Sequence, residues 1–300
     1  MKAALLGADC LYCQIPALRA GFTALGHQHS ADIDGDTSFV FVGNPPFEPY
    51  LDLARSREKK VIFNVLDVPL HCREWPEFAA TWPAQLALAN RVTCISQSTQ
   101  RDLLTHCGVQ SEVIYYPMKP VRFDETIKRV KGLRVLLVGR VNDPNKRVGL
   151  TISALIRAGF EENEIGVVGP ENPRFGQYFG LVPDDMLNTL YNSVDYVMML
   201  SIREGIGLPA IEAACCGAIP IVAPDLTTFD EFWVQSPLGL HYQNLHSIDK
   251  VAMLLRALED DPKWRAEVKQ DMLGYAALAF RPKFEAKAVA ARLIEIYHTL

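Results

Sequence analysis

One stretch, about two thirds of the way along the 300-residue chain, limits the possible fold more than any other. The apolar run Tyr196–Leu200 predicts a buried strand, and the polar loop Ser201–Glu204 follows it. After Gly-Ile-Gly-Leu at 205–208, Pro209 suits the first position of a helix, where its missing N–H costs nothing. Gly217 stands where a left-handed helix cap is needed, before a second apolar run. The stretch therefore predicts strand, loop, helix and strand within an α/β core.

The same stretch carries groups that bind phosphates and hydroxyls. Backbone N–H groups at a helix N-terminus attract an anion such as a phosphate. Glu204 precedes the glycines, and Glu212 follows with seven residues between, in what the pattern predicts to be the first helical turn. A carboxylate there is expected to stay ionised and to accept hydrogen bonds from sugar or ribose hydroxyls. Together these groups indicate a nucleotide sugar as ligand.

The segment from Glu204 to Glu212, E-G-I-G-L-P-A-I-E, resembles the Glu–seven–Glu motif of the retaining "group 1" glycosyltransferases, which have the GT-B fold. The resemblance implies that the first glutamate of the motif and the amides after it hold the donor sugar, and that the second glutamate holds the ribose. The implied donor residues are Glu204, Gly205, Ile206, Gly207, Leu208 and, for the ribose, Glu212.

A second part of the resemblance lies in the loop that begins at Gly139. Members of the family carry Gly-Arg there and a Lys a few residues later, and both side chains meet the donor diphosphate. Arg140 and Lys146 match this pattern, and Arg147 is an alternative to Lys146 because the spacing varies. A guanidinium fork and a point charge suit a leaving pyrophosphate. Gly169 begins the loop that corresponds to the nucleotide loop of the family.

The candidate acceptor residues lie in the N-terminal half, where the resemblance is weaker. Asp67 and His71 follow the predicted strand Val61–Leu66, and ligands gather at the carboxyl ends of strands in open α/β sheets. Asn44 lies in the loop after another predicted strand. Asp67 and His71 are equally typical of a helix cap or a surface position, because every strand end needs polar residues.

The order of predicted elements and the resemblance together imply an α/β chain with the GT-B fold, in which the active site lies in the cleft between two Rossmann-like domains. Residues 1–122 would form the acceptor-side domain, and residues 123–283 would bind the nucleotide sugar. Residues 284–300 would be a terminal helix that crosses back to the N-terminal domain. The linker is expected within residues 117–132, which contain two prolines and many charges.

Composition excludes several classes of protein. Hydrophobic residues make up 49% of the chain and charged residues 22%, which supplies a core for two domains. A net charge of −5 argues against a general nucleic-acid binder. We expect no signal peptide and no membrane span, since no apolar run approaches about 18 residues. The seven cysteines are expected to be reduced thiols in the cytoplasm.

Two patterns imitate metal sites. Cys10 and Cys13 form a C-x-x-C, but no second pair stands at zinc spacing. The run from Asp32 to Asp36, D-I-D-G-D, begins like an EF-hand but lacks the glycine and glutamate that the hand requires. We therefore expect incidental thiols, a solvated turn, no bound metal and no cofactor.

The resemblance implies a metal-independent, hexosyltransferase-like retaining glycosyltransferase. It would use a nucleoside diphosphate sugar and an acceptor hydroxyl on a glycan, lipid-linked molecule, protein or nucleic acid. Two alternatives stay open. Gly205–Ala210 also fits the G-x-G-x-x-A dinucleotide fingerprint, with Asp225 20 residues after its first glycine, so an NAD(P)-dependent oxidoreductase is possible. The other is a non-catalytic GT-B protein that binds a nucleotide sugar.

Overall fold

The computed structural model describes residues 1–6, 15–43, 58–66 and 83–300. The chain divides into two compact units. The N-terminal unit contains Met1–Met118 together with Lys283–Leu300, and the C-terminal unit contains Lys119–Pro282. The acceptor candidates Asn44, Asp67 and His71, and the pair Cys10 and Cys13, lie outside the described residues.

The N-terminal unit is built on a parallel sheet with the strand order β2-β1-β3-β4-β5-β6. Its strands are β1 (Lys2–Leu6), β2 (Gln28–Ser30), β3 (Phe39–Gly43), β4 (Lys60–Val65), β5 (Arg91–Cys94) and β6 (Glu112–Val113). All five residues of β3 are buried, as expected for a parallel strand that is covered on both faces. This burial explains why the central strands read as continuous apolar runs in the sequence.

Helices and helical turns cover this sheet. They are Ile15–Ala24, residues 83–86, Gln97–Asp102 with the π-turn Leu103–Cys107, and the C-terminal helix Ala286–His298. Ser96 caps Gln97–Asp102 by accepting a hydrogen bond from the N–H of Thr99, and Gly108 ends the π-turn with φ 66°. Serine and glycine at these positions are typical of the start and the end of a helix.

The C-terminal helix is part of the N-terminal unit. A side chain on Gly21 would place its Cβ 2.2 Å from the carbonyl oxygen of Ala286, so the helix Ile15–Ala24 and the C-terminal helix touch through their backbones. The rings of Phe39 and Tyr297 stack with their centroids 5.0 Å apart. The last residues of the chain therefore cover strand β3.

The C-terminal unit contains a second parallel sheet with the order β11-β10-β7-β8-β9. Its strands are β7 (Val135–Val138), β8 (Ile165–Val168), β9 (Gln177–Gly180), β10 (Tyr196–Met199) and β11 (Ile219–Val222). Apolar runs in the sequence coincide with four of these strands but not with β9. This strand lies at the edge of the sheet, has no fully buried residue and pairs through a register shift, so it lacks an apolar run.

The helices of the C-terminal unit complete a Rossmann-like arrangement around this sheet. The longer ones are Val148–Ala158, Asp184–Ser193, the motif helix Leu208–Cys215, Ile248–Asp260 and Pro262–Tyr275. Short helical segments are Pro144–Lys146, Glu162–Glu164, Phe229–Phe232, Gly239–Tyr242, Ala276–Phe280 and Arg281–Phe284. Among the described residues, no helix combines the length and apolar character needed to cross a membrane.

Residues 119–132, in the segment predicted as a linker, have no helix or strand, yet they are fixed to the C-terminal unit. The N–H groups of Arg122 and Asp124 donate to the side chains of Asn188 and Asn192 at 2.8 and 2.9 Å. Asparagine side chains thus satisfy backbone donors that no regular structure pairs.

Gly21→Ala is expected to lower the melting temperature of the protein, because the new methyl group meets the backbone of Ala286. Overpacking typically costs about 1–3 kcal/mol, which exceeds the roughly 1 kcal/mol that alanine gains over glycine in a helix. Gly274→Ala is the control, since nothing lies within 4 Å of its added Cβ. Thermal unfolding followed by circular dichroism measures both, and an unchanged melting temperature for Gly21→Ala would contradict the backbone contact.

Candidate functional site

The candidate site lies where the strand order of the C-terminal sheet reverses. Strand β7 pairs with β8 on one side and with β10 on the other, and ligands of open α/β sheets bind beyond the carboxyl ends of such strands. A shallow pocket that is open to solvent lies there. Its lining includes Gly139, Arg140, Lys146, Met199 and Ser201.

Two glycines let the loops after β7 and β8 touch at this pocket. Gly139 has φ 139°, a conformation that residues with a side chain rarely adopt. A Cβ on Gly169 would lie 2.1 Å from the carbonyl oxygen of Gly139. Glu171 adds a second connection, because its carboxylate accepts the N–H of Val141 at 3.1 Å. The predicted donor residues Gly139 and Gly169 are therefore adjacent, and neither tolerates a side chain.

The structure also brings together two of the predicted catalytic side chains. Lys146 Nζ lies 2.5 Å from Glu204 Oε1, and the two side chains are only 19% and 14% exposed. The lysine chain lies against Gly139, with its Cε 3.6 Å from the position of an added Cβ. The glycine thus leaves room for the lysine to reach the pocket.

Arg140 occupies the outer part of the pocket lining. Its side chain is 57% exposed, and Nη2 lies 3.3 Å from Asp143 Oδ2. This surface ion pair is weak and can be exchanged for a stronger anionic partner.

The backbone of the loop before the motif helix is held by two threonine side chains. Gly207 precedes the helix with φ 88°. Pro209 has no N–H and the N–H of Ala210 donates to Gly207 O at 3.1 Å, so the N–H of Leu208, the first helical residue, is the one that faces outward from this end. Thr227 Oγ1 accepts the N–H of Glu204 at 3.2 Å and lies 3.0 Å from its carbonyl oxygen, while Thr228 Oγ1 donates to Ile206 O. Neither threonine is predicted from the sequence, since their only local signal is a Thr-Thr pair after an apolar strand.

Asn145 connects this loop to the loop after β7, and it was also missed. Its side-chain amide donates to Arg203 O at 2.7 Å, and its Oδ1 accepts Arg203 N–H at 2.8 Å. Its own carbonyl accepts the N–H of Ile202 at 3.1 Å. Asparagine is common in loops, so the sequence offers no signal that singles this one out.

Comparisons with known proteins point to glycosyltransferases. Residues 176–273 match the family model described as "Glycosyl transferases group 1", and these residues include the whole segment from Glu204 to Glu212. O-antigen chain mannosyltransferase B of Escherichia coli is 32% identical over 109 residues. That alignment covers 36% of this chain and only 28% of the length of the relative.

Several solved structures are similar over nearly their whole length. HepE of Anabaena, solved in complex with UDP and glucose, has a TM-score of 0.73 at 12% identity and covers 100% of both chains. Sucrose-phosphate synthase of Thermosynechococcus elongatus has a TM-score of 0.74 at 13% identity, over 100% of this chain and 98% of that one. WaaG, a glycosyltransferase involved in lipopolysaccharide biosynthesis, has a TM-score of 0.68 at 12% identity, over 99% of each chain.

The fold is GT-B. The two parallel-sheet units are its two Rossmann-like domains. The GT-B fold and the place of the motif both disfavour the dinucleotide interpretation of Gly205–Ala210. The fingerprint follows the first strand of a dinucleotide domain, whereas these glycines follow β10, the fourth strand of its sheet. In addition, Asp225, the expected ribose ligand, makes two hydrogen bonds to Arg147 at 2.9 and 2.5 Å.

Two details of the motif helix differ from the prediction. The helix begins at Leu208, so Pro209 takes its second position and Glu212 its fifth. Glu212 therefore lies in the second turn, not the first. The prediction failed because Gly207, with its positive φ, already turns the chain into the helix at Leu208.

Glu212 is buried in this GT-B domain, with 3% of its surface exposed. Its Oε1 accepts the N–H of Lys119 at 3.1 Å, and its Oε2 accepts the hydroxyl of Tyr191 at 3.0 Å. Burial raises the pKa of Glu212 above its usual value, although both hydrogen bonds act against this shift. The sequence predicts that the helix N-terminus keeps Glu212 ionised, but burial outweighs this effect on its pKa. The ribose contact of Glu212 stays a prediction.

No three His, Cys, Asp or Glu side chains converge to hold a metal ion within the described part of the chain. In the D-I-D-G-D run, Asp34 pairs with Lys2 and accepts hydrogen bonds from the N–H of Asp36 and the hydroxyl of Thr37. This carboxylate closes a turn with its own neighbours.

The pH dependence of stability tests the environment of Glu212. The raised pKa means that the folded protein binds this proton more tightly than the unfolded chain does. The stability contributed is therefore fully present below the unfolded pKa, near 4.5, and is lost as the pH rises through the folded pKa. Glu212→Gln keeps an acceptor for Lys119 and a donor for Tyr191, but it cannot ionise.

The free energy of unfolding of Glu212→Gln, relative to the wild type, is therefore expected to increase as the pH rises above 4.5. Urea denaturation at a series of pH values measures this difference. Glu267→Gln, at a residue 60% exposed on its side chain, is the control and should show no comparable trend. A difference in unfolding free energy that stays constant or decreases with pH would contradict a buried carboxyl group with a raised pKa.

Proposed function

We propose that this protein is a retaining glycosyltransferase that moves a hexosyl group from a nucleoside diphosphate sugar to an acceptor hydroxyl. The observation that carries the proposal is the pair of Lys146 and Glu204, held 2.5 Å apart over Gly139 at the switch point of a GT-B domain. A cation for the diphosphate thus lines the pocket, and a carboxylate for the sugar contacts that cation. The family match over residues 176–273 supports the same function.

The diphosphate would be bound by Lys146, Arg140 and the backbone N–H of Leu208 at the start of the motif helix. The Lys146 ammonium has three donors, so it can keep its bond to Glu204 while it contacts a phosphate. Arg140 would exchange its surface contact with Asp143 for a phosphate oxygen. As the glycosidic bond breaks, the departing diphosphate gains charge, and fixed cations stabilise that transition state.

The sugar would be bound by Glu204 and the amides of residues 205–208. Lys146 occupies Oε1 of Glu204, so Oε2 is the oxygen proposed to accept a sugar hydroxyl. Glu212 is proposed to bind the ribose with the lone pairs that Lys119 and Tyr191 leave unused. Retention of configuration is proposed from the resemblance of this segment to the Glu–seven–Glu motif.

The related proteins guide the choice of donors for the first experiment. A similar structure, HepE, was solved in complex with UDP-glucose, and the curated relative is called a mannosyltransferase. Thermal-shift screening should therefore start with UDP-glucose and a mannosyl donor, followed by ADP-sugars. Release of nucleoside diphosphate from a bound sugar donor would exclude a non-catalytic binding protein. The acceptor-side candidates Asn44, Asp67 and His71 enter the proposal only after a donor is known.

Lys146→Ala and Arg140→Ala are each expected to lower kcat at saturating donor and to raise the donor KM. Loss of one contact to a developing anion typically costs about 10²–10³ in rate. Steady-state kinetics with the screened donor provide the measurement. Lys263→Ala is the control: that side chain is 88% exposed, and surface substitutions usually stay within about 0.5 kcal/mol. Turnover close to normal in both Lys146→Ala and Arg140→Ala would remove the donor-site assignment.

Activity is expected to survive EDTA, because two basic side chains and a helix N-terminus are proposed to supply the positive charge that the leaving diphosphate needs. Donor turnover measured with and without chelator tests this point. If activity disappears on chelation and returns with Mg²⁺ or Mn²⁺, the metal-independent mechanism is wrong.

A further inference from the structure

The residue after Lys146 has an unusual backbone conformation. Arg147 has φ 50° and ψ 39°, and it is one of three non-glycine residues with positive φ in the described part of the chain. A left-handed conformation is unfavourable for an ordinary residue with a side chain, because its Cβ approaches the following carbonyl oxygen. Such strain persists only where the surroundings fix it, and it clusters at functional sites.

Arg147 stands at the junction of two helical segments. Its N–H donates to Pro144 O and closes the 3₁₀ turn Pro144–Lys146, while its carbonyl accepts the N–H of Thr151 in the first turn of Val148–Ala158. The left-handed residue therefore sets the direction in which the chain leaves the turn that carries Lys146.

The side chain of Arg147 is held by a carboxylate from another loop. Nη1 and Nη2 contact Oδ1 and Oδ2 of Asp225 at 2.9 and 2.5 Å, the bidentate geometry that gives the strongest arginine–carboxylate contacts. Asp225 follows strand β11, so this ion pair connects the end of β11 to the loop after β7.

The same β11 loop also holds Glu204. Thr227, two residues after Asp225, is bonded to both the N–H and the carbonyl of Glu204. One short loop thus supports both members of the Lys146–Glu204 pair, the lysine through Arg147 and the glutamate through Thr227.

We propose that Arg147 and Asp225 are positioning residues for the transfer reaction, which clamp the backbone at Lys146 so that its ammonium meets Glu204 and the donor diphosphate. The proposal rests on the proposed function for its kinetic consequence, but not for its structural one. The β11 loop sets the separation of the two groups that would contact the leaving diphosphate and the sugar.

The structural consequence can be measured without any substrate. Lys146 is paired and 19% exposed, so acetic anhydride should acetylate it slowly, whereas Lys263 is 88% exposed and serves as an internal reference in the same digest. Asp225→Asn removes the charge from the clamp without changing its shape. We expect the acetylation rate of Lys146, relative to Lys263, to rise by about two- to fivefold, the factor that corresponds to the loss of one partly exposed ion pair.

The kinetic consequence is a fall in kcat. A small misplacement of a catalytic group can cost up to about 10²-fold in rate, so Asp225→Asn and Arg147→Gly should lower kcat by roughly 10–100-fold. Arg147→Gly retains the left-handed conformation but loses the ion pair, and it separates the clamp from backbone strain. The double variant Arg147→Asp with Asp225→Arg restores an ion pair of opposite polarity, and aspartate tolerates positive φ.

The proposal is supported if both single variants expose Lys146 and lose turnover, and if the charge-reversed double variant recovers part of each. It is overturned if Asp225→Asn and Arg147→Gly, folded by circular dichroism, leave Lys146 acetylation and kcat as in the wild type. It is also overturned if only the melting temperature falls. A wild type that turns over no sugar donor refutes the proposed function instead, while the acetylation experiment still decides whether the clamp positions Lys146.

Discussion

The arrangement of the C-terminal unit depends on one ion pair that is largely withdrawn from water. Lys146 and Glu204 are both mostly buried, and removal of either partner would leave an uncompensated charge in a poorly solvated place. Such a pair adds little stability by itself, because desolvation offsets much of the attraction. What the pair contributes is a fixed relative position of the ammonium and carboxylate groups. Three loops must end in fixed places for the two groups to meet, and a network of side-chain to backbone hydrogen bonds holds those loops.

The two ends of the same strands carry charges with different uses. Before β7 and β10, Arg134 and Asp195 form an ion pair that Glu259 and Lys269 extend. That cluster has opposite charges within contact distance and needs no ligand. Beyond the carboxyl ends, Lys146 and Glu204 meet beside an open pocket, next to the exposed cation of Arg140. The parallel sheet thus has a charge cluster that needs no ligand at the amino ends of these strands and an open candidate binding site at their carboxyl ends.

The sequence predicted those parts of the fold and the site that depend on neighbouring residues. The left-handed Gly217 and the apolar central strands follow local rules, and the structure contains them. Edge strand β9 has no such local signal. The partners of Glu212 and Glu204 were also unpredictable, because Lys119 is 93 residues from one and Thr227 is 23 residues from the other. Long-range pairing of this kind leaves no periodic or turn pattern in the sequence.

The membership of the C-terminal helix in the N-terminal unit has a consequence for protein synthesis. Lys119–Pro282 is continuous in the chain, so that unit has all its residues as soon as Pro282 leaves the ribosome. The N-terminal unit begins earlier but lacks the helix that covers Phe39 until Tyr297 has emerged. Domains usually complete their folding in the order of synthesis. Here we expect the unit that is translated first to complete its folding last. The apolar surface that the C-terminal helix covers would stay exposed in the nascent chain during synthesis of Lys119–Pro282, about half of the protein.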